Sequence, residues 1–379
     1  MFKETIKYNY IAFLRAILKP FTVIPVKQNR VIFESFAGEG YNCNPKYISL
    51  ELLEQSNGSA EVIWAFTNPE NFKSALPEDV KVCKYRSLKH IYYRLTSRVY
   101  VSNFLQAIEV PKNKKQIVIQ TWHGGGSYKT VGSAEKGRQS PYIKRQNIQL
   151  KETDYFVSSS NYFRDEVVRE QFGFRGETIN KGMPRNDILI NPRSDDRNSK
   201  IREKLGIAED KIVVLYAPTW KQTTGYYEEL NVIRLKDSVK ERFGRECEVL
   251  FRTHIYGNQK LNNVKSVSDY PDMQELLLIS DILISDYSSS IWDFSFTGKP
   301  CFLFTPDLKD YTENRGFDKD IFSWGFPVCS NNVQLDEAIK SYSEENFLKA
   351  MEKHHTDLES TESGVASKEI TSLIFSKFQ

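Results

Sequence analysis

Residues 282–292 read ILISDYSSSIW, and this stretch decides the fold. Its first four residues predict a buried strand, and five residues rich in hydroxyls separate that strand from a helix opening at Ile291. A buried strand that passes through a short polar turn into a helix is the repeating unit of a parallel sheet. The stretch therefore predicts an α/β fold in which polar side chains stand at the strand ends.

The same organisation recurs along the chain. Further apolar, β-branched runs are found at 31–33, 62–66, 99–101, 117–119 and 155–157, and the same rhythm resumes at 212–216, 248–251 and 301–304. Helical stretches such as 46–55 and 162–172 lie between several of them. A length of 379 residues favours two domains, and the breaker-rich stretch 191–200 makes a good linker.

We therefore expect an amphipathic helix in residues 1–28, a first doubly wound α/β domain in 29–195 and a second in 196–379. Ligands of such sheets bind outside the carboxyl ends of the strands. Four strands, one in the first half and three in the second, end in unusual polar residues at 121–126, 217–220, 252–254 and 286–290. Because these ends come from both halves, the sequence predicts one cleft between the domains.

The composition excludes several classes of protein. Hydrophobic residues make up 40% of the chain and charged residues 27%, as in a folded globular protein rather than a disordered or fibrous one. The net charge is only +3, so we expect no nucleic acid as a partner. Five scattered cysteines without a CxxC or Cys/His cluster argue against a zinc site and indicate a reducing compartment. No cluster of Asp and Glu demands a protein-held metal.

The basic character belongs to the N-terminus, where residues 1–30 hold six basic side chains and one acidic one, a local charge of +5. Residues 2–19 predict a helix that Pro20 ends. One side of this helix carries Phe2, Ile6, Tyr10, Phe13, Leu14 and Ile17, and the neighbouring arc carries Lys3, Lys7, Arg15 and Lys19. The pattern is typical of a helix that lies in a membrane interface; the alternative is a helix packed on its own domain. No apolar run approaches the roughly 18 residues that span a bilayer, and no signal peptide is expected.

The segment after the strand at 117–120 is the first candidate site. His123 precedes three glycines, Gly124, Gly125 and Gly126. Glycines let the backbone approach a ligand closely and present N–H groups to an anion. Lys129 follows, but the spacing does not match a P-loop. The alternative is a glycine turn beside a buried histidine.

Two further strand ends supply a cation, hydroxyls and a second imidazole. Arg252 has the planar fork that suits a phosphate, and Thr253 and His254 follow it; the alternative is a surface cluster at a strand end. The hydroxyls of 288–290 open a helix and predict an anion site, or simple capping. Asp293 in the same helix is expected to take hydroxyls of a polyol or ribose, or to orient a neighbour.

Two loops add arginines, Arg185 within 182–187 and Arg315 before Gly316 and Phe317. With two histidines, a glycine turn and a serine-capped helix, this chemistry suits a nucleoside-diphosphate donor. The other three histidines, His90, His354 and His355, lie on helical or polar stretches, and we expect them to be solvated.

The ordered set of these motifs, which spans residues 30–320, resembles the CDP-glycerol glycerophosphotransferases, the family of teichoic acid primases and polymerases. The matching segments are 33–36, 44–47, 120–124, 182–187, 216–220, 252–254, 285–289 with Asp293, and 315–317. The resemblance implies a GT-B fold, in which two Rossmann-like domains face a central cleft that holds the donor. The first domain would form the acceptor side and the second the CDP-donor side. It also implies a peripheral enzyme on the cytoplasmic face of the cell membrane.

The resemblance also assigns roles to residues. His123 and His254 match the histidines on which catalysis in the family depends, and Arg315 matches a motif arginine near the phosphates. The implied substrate-binding residues are Trp122, Gly124, Gly125, Gly126, Arg185, Pro218, Thr219, Arg252, Thr253, Ser288, Ser289 and Asp293. The chain departs from the family where Thr-Pro-Leu-Lys usually follows the WHG triplet, at Ile255 where Pro is common, and at Asp318 where Tyr is usual.

Our hypothesis is an attack by an acceptor hydroxyl on the β-phosphorus of a CDP-linked polyol, most simply CDP-glycerol, which releases CMP. His123 is the general-base candidate because an imidazole titrates near neutrality. The acceptor is expected to be lipid-linked or a glycan, in the synthesis of a teichoic acid or a capsule-type polymer, and no permanently bound cofactor is expected. Three alternatives stay open: a ribitol-phosphate transferase using CDP-ribitol, a GT-B glycosyltransferase using a nucleotide sugar, and a non-catalytic membrane scaffold. The sequence also leaves open the acceptor, single or repeated addition, the oligomeric state and any need for a divalent ion.

Overall fold

The computed structural model describes residues 2–106, 109–135, 140–192, 196–219, 227–253 and 261–378. The α-helices are α1 Phe2–Leu18, α2 Cys43–Ser56, α3 Leu88–Thr96, α4 Ser140–Glu152, α5 Asp187–Ile190, α6 Arg197–Lys204, α7 Val232–Phe243, α8 Met273–Ile279, α9 Ser290–Ser295, α10 Leu308–Asn314, α11 Asn332–Lys340, α12 Glu344–Asp357 and α13 Ala366–Ser376. The strands are β1 Lys27–Glu34, β2 Glu61–Phe66, β3 Lys81–Lys84, β4 Ser97–Ser102, β5 Ile117–Gln120, β6 Tyr155–Ser158, β7 Glu177–Asn180, β8 Ile212–Tyr216, β9 Cys247–Phe251, β10 Lys265–Ser266, β11 Ile282–Ser285, β12 Cys301–Phe304 and β13 Val328–Cys329. A π-helix at Phe163–Gln171 stands where the sequence predicted a helix over 162–172.

The chain forms two compact units. The first comprises residues 1–123, 131–187 and 361–379, and the second comprises 124–130 and 188–360. The sequence predicts one division at residue 195, whereas the structure divides the chain between 187 and 188 and returns its last 19 residues to the first unit. This return has a physical reason, because α13 packs on α2 and the Asp187 carboxylate accepts two backbone N–H groups at the start of α13, at 3.0 and 2.7 Å.

The first unit is built on a seven-stranded parallel sheet in the order β3-β2-β1-β4-β5-β6-β7. Alternate residues of the central strands enter two separate cores, since side chains of a strand point to opposite faces in turn. Val31 and Phe33 join the core on one face, and Ile32 joins the core on the other; all three are fully buried. Burial on both faces explains why these strands read as continuous apolar runs.

The second unit has a six-stranded parallel sheet in the order β10-β9-β8-β11-β12-β13. Its strands β8, β11 and β12 have the bounds that the apolar runs predicted. Two Rossmann-like units with parallel sheets confirm the predicted α/β class. The carboxyl ends of β9, β8 and β11 are neighbours, so the polar residues that follow them share one edge of the sheet.

The N-terminal helix α1 is present, and it packs on α4 of the first unit through one face. Ile11 is buried there, Arg15 pairs with Glu152, and Glu4 pairs with Arg145. The opposite face carries Phe2, Ile6, Tyr10, Phe13 and Ile17, which are 49–79% exposed. The helix therefore leaves most of the predicted apolar face uncovered within its own unit. Among the described residues, no helix combines the length and apolar character needed to cross a bilayer.

The prediction that three histidines are solvated was wrong. His90 and His354 are 1% and 4% exposed, and His355 is half-buried. His90 Nε2 lies 2.7 Å from the Glu34 carboxylate, and burial lowers the pKa of His354 to about 3 and that of His355 to about 4. Their helices are polar overall, but each histidine lies on the face that packs inward. The five cysteines are buried free thiols.

Candidate active site

The backbone turns sharply after β5, where Trp122 and His123 stand. The side-chain oxygen of Gln120 accepts the Trp122 N–H at 2.8 Å. Trp122 has a φ of 52°, in the left-handed region that is unfavourable for a residue with a large side chain. Strain of this kind persists only where surrounding contacts impose it, and it is concentrated at functional turns. The turn places His123 at the carboxyl edge of the first sheet.

The tautomer of His123 follows from its hydrogen bond. Nδ1 lies 2.9 Å from the backbone oxygen of Asn103. Because a carbonyl oxygen can only accept, Nδ1 donates and carries the proton, and Nε2 is the basic nitrogen of the neutral ring. The imidazole also packs against the rings of Phe36 and Trp122, with centroids 5.2 and 4.0 Å away. The ring is thus held in one orientation, as a general base requires.

Two buried side chains fix the backbone that carries His123. The side-chain amide of Asn44 donates to the carbonyl oxygens of Thr121 and Trp122, at 3.2 and 3.1 Å. The guanidinium of Arg185 donates to the carbonyl oxygen of His123 at 2.6 Å. Three successive carbonyl groups are therefore each held by a side chain from elsewhere in the first unit.

Asn44 and Arg185 also hold each other. The Arg185 N–H donates to the Asn44 side-chain oxygen at 3.1 Å, and the guanidinium reaches the Cys43 sulfur at 3.4 Å. Arg185 is 4% exposed and Asn44 is fully buried. The predicted substrate-binding role of Arg185 stays a prediction, whereas its hydrogen bonds to His123 and Asn44 position the His123 turn. Asn44 was absent from the predicted site, although it opens one of the motif segments, 44–47.

The three glycines after His123 belong to the second unit, where close packing explains two of them. A Cβ on Gly125 would lie 2.4 Å from Cδ1 of Trp292, which is fully buried. Gly126 has a φ of +72°, and a Cβ there would lie 2.6 Å from the Tyr128 ring. The glycines at these two positions are therefore required by the fold of the segment, whatever their part in ligand binding.

The rest of this segment is tied into the second unit. The Ser127 hydroxyl donates to the Asp318 carboxylate at 2.7 Å, and Lys129 forms an antiparallel bridge with Phe317. The Tyr128 hydroxyl lies 2.8 Å from Nε2 of His354. Burial lowers the pKa of His354 and raises the pKa of Tyr128, so the tyrosine donates to a neutral imidazole. Ser127 and Asp318, which both depart from the usual family residues, are thus hydrogen-bonded to each other.

Thr219 follows β8, and Asp286 organises this strand end. The Asp286 carboxylate is fully buried and accepts the Thr219 N–H at 3.0 Å and its hydroxyl at 2.9 Å. It also accepts the Tyr287 N–H at 2.5 Å. Pro218 is half-buried beside Thr219. The carboxylate links the ends of β8 and β11; Asp286 stands in the predicted polar strand end 286–290 and in the motif segment 285–289, but it was not among the predicted site residues.

Arg252 follows β9. Its guanidinium donates to the carbonyl oxygen of Tyr270 at 2.6 Å, and burial lowers its pKa while nearby Asp272 opposes that shift. The N–H and hydroxyl of Thr253 lie 3.1 and 3.2 Å from the Ser268 hydroxyl. The guanidinium stays charged at neutral pH because its pKa is far above 7. His254 lies outside the described residues.

Ser288 and Ser289 are half-buried after β11, and the buried Ser290 donates its hydroxyl to Ser288 at 2.9 Å. Ser289 stands at the N-cap of α9 without a side-chain capping hydrogen bond. Asp293 is 2% exposed and accepts a hydrogen bond from the Gln274 amide at 2.9 Å, which favours the orienting role among those predicted for it. Arg315 caps α10, and its carbonyl oxygen accepts the Thr130 hydroxyl at 3.3 Å.

The predicted residues thus fall into two groups. Trp122, His123 and Arg185 lie in the first unit, at the His123 turn. In the second unit, Thr219, Arg252 and the serines stand at the carboxyl ends of neighbouring strands, with hydroxyls and a guanidinium suited to phosphate oxygens. The described ranges contain no group of three His, Cys, Asp or Glu side chains placed to hold a metal ion.

Comparisons with known proteins bear on this chemistry. The sequence profile of a family described as CDP-Glycerol:Poly(glycerophosphate) glycerophosphotransferase matches residues 17–376. A teichoic acid poly(glycerol phosphate) polymerase of Bacillus spizizenii is 31% identical over 86% of this chain and 87% of that protein. A teichoic acid glycerol-phosphate transferase of Staphylococcus aureus is 28% identical over 99% of this chain and 100% of that one. The chain spans only 51% and 45% of two longer polymerases, from Staphylococcus epidermidis and Bacillus subtilis.

The solved structures include the wall teichoic acid polymerase TagF, in two cases soaked with CDPG. It matches this chain with a TM-score of 0.83 and 27% identity, over 100% of this chain and 97% of that one. This likeness confirms the predicted GT-B fold. A teichoic acid ribitol-phosphate polymerase of Staphylococcus aureus is also 28% identical, over 90% of this chain and 68% of that protein.

Proposed function

Because this chain belongs to the CDP-glycerol:poly(glycerophosphate) glycerophosphotransferase family, we propose that it transfers glycerol phosphate from CDP-glycerol to a hydroxyl of a lipid-linked or glycan acceptor. The product other than the extended acceptor is CMP. The names of the relatives connect this chemistry with teichoic acid synthesis. The observation that carries the proposal is the His123 turn, which holds an imidazole with its basic Nε2 defined by the Nδ1 hydrogen bond.

In the proposed reaction the acceptor oxygen attacks the β-phosphorus of the donor. The new bond joins that oxygen to the β-phosphorus, and the bond from the β-phosphorus to the bridging oxygen breaks, so CMP leaves with the bridging oxygen. Nε2 of His123 takes the proton of the attacking hydroxyl. The Nδ1 hydrogen bond to the Asn103 carbonyl stabilises the imidazolium that forms.

The second unit would hold the donor. Arg252 and Arg315 are proposed to balance negative charge on the transferred and leaving phosphates, as cations do in phosphoryl transfer. The proposed catalytic role of His254 rests on the family motif alone. Hydroxyls of Thr219, Ser288 and Ser289 would bind phosphate oxygens or the polyol, and the buried Asp286 would keep the Thr219 loop in place.

The donor polyol distinguishes two versions of this function. Relatives of similar identity include both glycerol-phosphate and ribitol-phosphate enzymes. The match to a glycerol-phosphate polymerase over 87% of that protein favours CDP-glycerol. CDP-ribitol is the second candidate.

We also propose that α1 holds the enzyme on the cytoplasmic face of the membrane. Its apolar face of Phe2, Ile6, Tyr10, Phe13 and Ile17 is exposed, and basic side chains flank that face. Such a helix inserts its apolar side among lipids and pairs its lysines with anionic headgroups. This position would bring the first unit to a lipid-linked acceptor.

The proposal is tested by measuring CMP release from purified full-length protein with CDP-glycerol or CDP-ribitol, and a membrane extract as the source of acceptor. We expect release with CDP-glycerol, and loss of at least about 100-fold in the His123→Ala variant with an unchanged circular dichroism spectrum. His355→Ala removes an imidazole outside the site and serves as the matched control. Consumption of a nucleotide sugar with neither CDP-polyol used would instead identify a glycosyltransferase.

A further inference from the structure

A cavity of about 350 Å³ opens in the first unit at the carboxyl edge of the sheet. Its lining residues include Ala37 after β1, Thr67 after β2, Lys84 at the end of β3 and Gln106 after β4. Helices α1 and α4 complete the wall. In a doubly wound sheet this edge is where ligands bind, and the volume is in the range of small-molecule sites.

The cavity is rich in positive charge. Four cationic side chains line it, Lys7, Lys84, Arg86 and Arg145, against one carboxylate, Glu39. Arg86 is paired with Glu109 at 2.9 Å, and Arg145 is paired with Glu4. Within the described ranges, the structure gives Lys7 and Lys84 no ion pair. Burial lowers the pKa of Lys7 and the nearby charge of Arg145 lowers it further, whereas the carboxylates of Glu4 and Glu109 oppose that shift.

Gln106 gives a second and independent indication of a ligand. Its side chain is 95% buried, and neither the amide oxygen nor the amide nitrogen has a hydrogen-bond partner among the residues that the structure describes. A buried amide without partners is unfavourable, and such a group in a folded protein requires an explanation. Both atoms would be satisfied by a ligand that offers phosphate oxygens and hydroxyls.

Two short segments separate this cavity from the His123 turn. Ala37 lines the cavity, and its neighbour Phe36 packs on the His123 ring. Phe104 lines the cavity, and its neighbour Asn103 accepts the Nδ1 hydrogen bond of His123. Two residues that line the cavity are thus direct chain neighbours of two residues that contact His123, the proposed general base.

We propose that this cavity binds a phosphate group of the acceptor and so presents the acceptor hydroxyl to His123. The inference rests on the proposed function and deepens it, because it identifies the acceptor site and the chemistry that it recognises. The phosphate could belong to the diphosphate of a lipid carrier or to a polyol phosphate that the acceptor already carries. The cavity recognises the charge and oxygens that these two sources share.

The decisive experiment compares two double variants of the full chain that lose the same charge. Lys7→Ser with Lys84→Ser removes the two cavity lysines without ion pairs, and Lys114→Ser with Lys115→Ser removes two exposed lysines elsewhere in the first unit. The assay uses a short-chain lipid diphosphate glycan in detergent solution, so membrane attachment is not needed. We expect the KM for this acceptor to rise at least about tenfold in the cavity variant only, with the KM for CDP-glycerol unchanged. An acceptor KM within twofold of the parent protein overturns the proposal.

Gln106→Leu separates binding from folding. Leucine has a similar size and carries no polar atoms, so it removes the amide that lacks partners, and the variant is expected to be at least as heat-stable as the parent. Its acceptor KM is nevertheless expected to rise severalfold. A variant with parental stability and parental acceptor KM contradicts the proposed role of Gln106.

Two further arms identify the phosphate source and separate this inference from the proposed function. The first arm compares the acceptor KM of the cavity variant for acceptors with and without a first glycerol phosphate. A raised KM for both acceptors identifies the lipid diphosphate as the bound group. A raised KM for the longer acceptor alone identifies the polyol phosphate. Inorganic pyrophosphate is titrated by calorimetry into the parent protein and the cavity variant. Binding that is lost in the variant supports the anion site even if neither CDP-polyol is a substrate, in which case the proposed function alone fails. Equal binding, or none to the parent protein, argues against the site.

Discussion

Replacing Asn44 by Ala should damage both stability and catalysis, because this side chain holds the turn that carries His123. Asn44 is fully buried and makes three hydrogen bonds to backbone groups, at 3.2, 3.1 and 3.1 Å. At about 1 kcal/mol for each bond, and more where a buried partner is left unsatisfied, we expect a loss of about 3 kcal/mol in the free energy of unfolding. A shift of the His123 ring of about 1 Å would lower kcat by about 100-fold.

The stability change is best measured on the first unit itself, since a chain of two units need not unfold in one step. Amide hydrogen exchange in increasing urea, followed on peptides that contain β5, reports that unit. Asn29→Ala is the matched control, because Asn29 makes one exposed hydrogen bond to the carbonyl oxygen of Ser59, and we expect a change within about 0.5 kcal/mol there. Our account of the turn is refuted if Asn44→Ala retains parental exchange and a kcat within twofold.

Three other outcomes are expected. The pKa of His354 is lowered to about 3 in the folded protein, so the unfolded chain binds more protons below about pH 6.5, and the free energy of unfolding falls by up to about 1.4 kcal/mol per pH unit towards pH 4. The His354→Gln variant should flatten that slope in urea unfolding at pH 6.5, 5.5 and 4.5. Equal slopes in the variant and the parent protein would contradict the assignment. Gly125→Ala should lower the free energy of unfolding by about 1–3 kcal/mol, since its Cβ would lie 2.4 Å from the buried Trp292 ring. The change is measured as a lower Tm, and an unchanged Tm would show that the packing tolerates the methyl group. The double variant Ile6→Ser with Phe13→Ser should bind anionic vesicles at least about 100-fold more weakly in a sedimentation assay, because each replaced side chain buries apolar area in the lipid. The control Leu88→Ser, at an apolar and exposed residue outside α1, should bind like the parent protein. Undiminished sedimentation of the double variant would exclude α1 as the anchor.

Local patterns in the sequence predicted nine strands of the two sheets and the strand end that carries His123, but not the edge strands β3, β7, β10 and β13. The runs at 212–216, 282–285 and 301–304 became strands with those bounds, because short apolar segments of this kind form parallel strands that are buried on both faces. His123 was placed at a strand end by the apolar residues before it and the glycines after it. The position of a residue that directly follows a strand is therefore predictable from the sequence.

Contacts between distant residues were not readable in this way. Asn44 and Arg185 are 141 positions apart, Ser127 and Asp318 are 191 apart, and no periodicity relates such positions. The return of α13 to the first unit has the same character, because it depends on packing against α2. His354 was expected in water because α12 is polar overall, whereas its imidazole accepts a buried hydrogen bond across 226 positions.

The central claim is that this chain transfers polyol phosphate with His123 as the general base. The most direct test is single-turnover release of CMP from CDP-glycerol with a purified lipid-linked acceptor, for the parent protein and His123→Ala, between pH 5.5 and 8.5. The account predicts that the parent rate rises with pH through one ionisation near that of an imidazole, and that the variant loses both the rate and this ionisation while it still binds CDP-glycerol. A variant that releases CMP at a near-parental rate, with the same pH dependence, would contradict it.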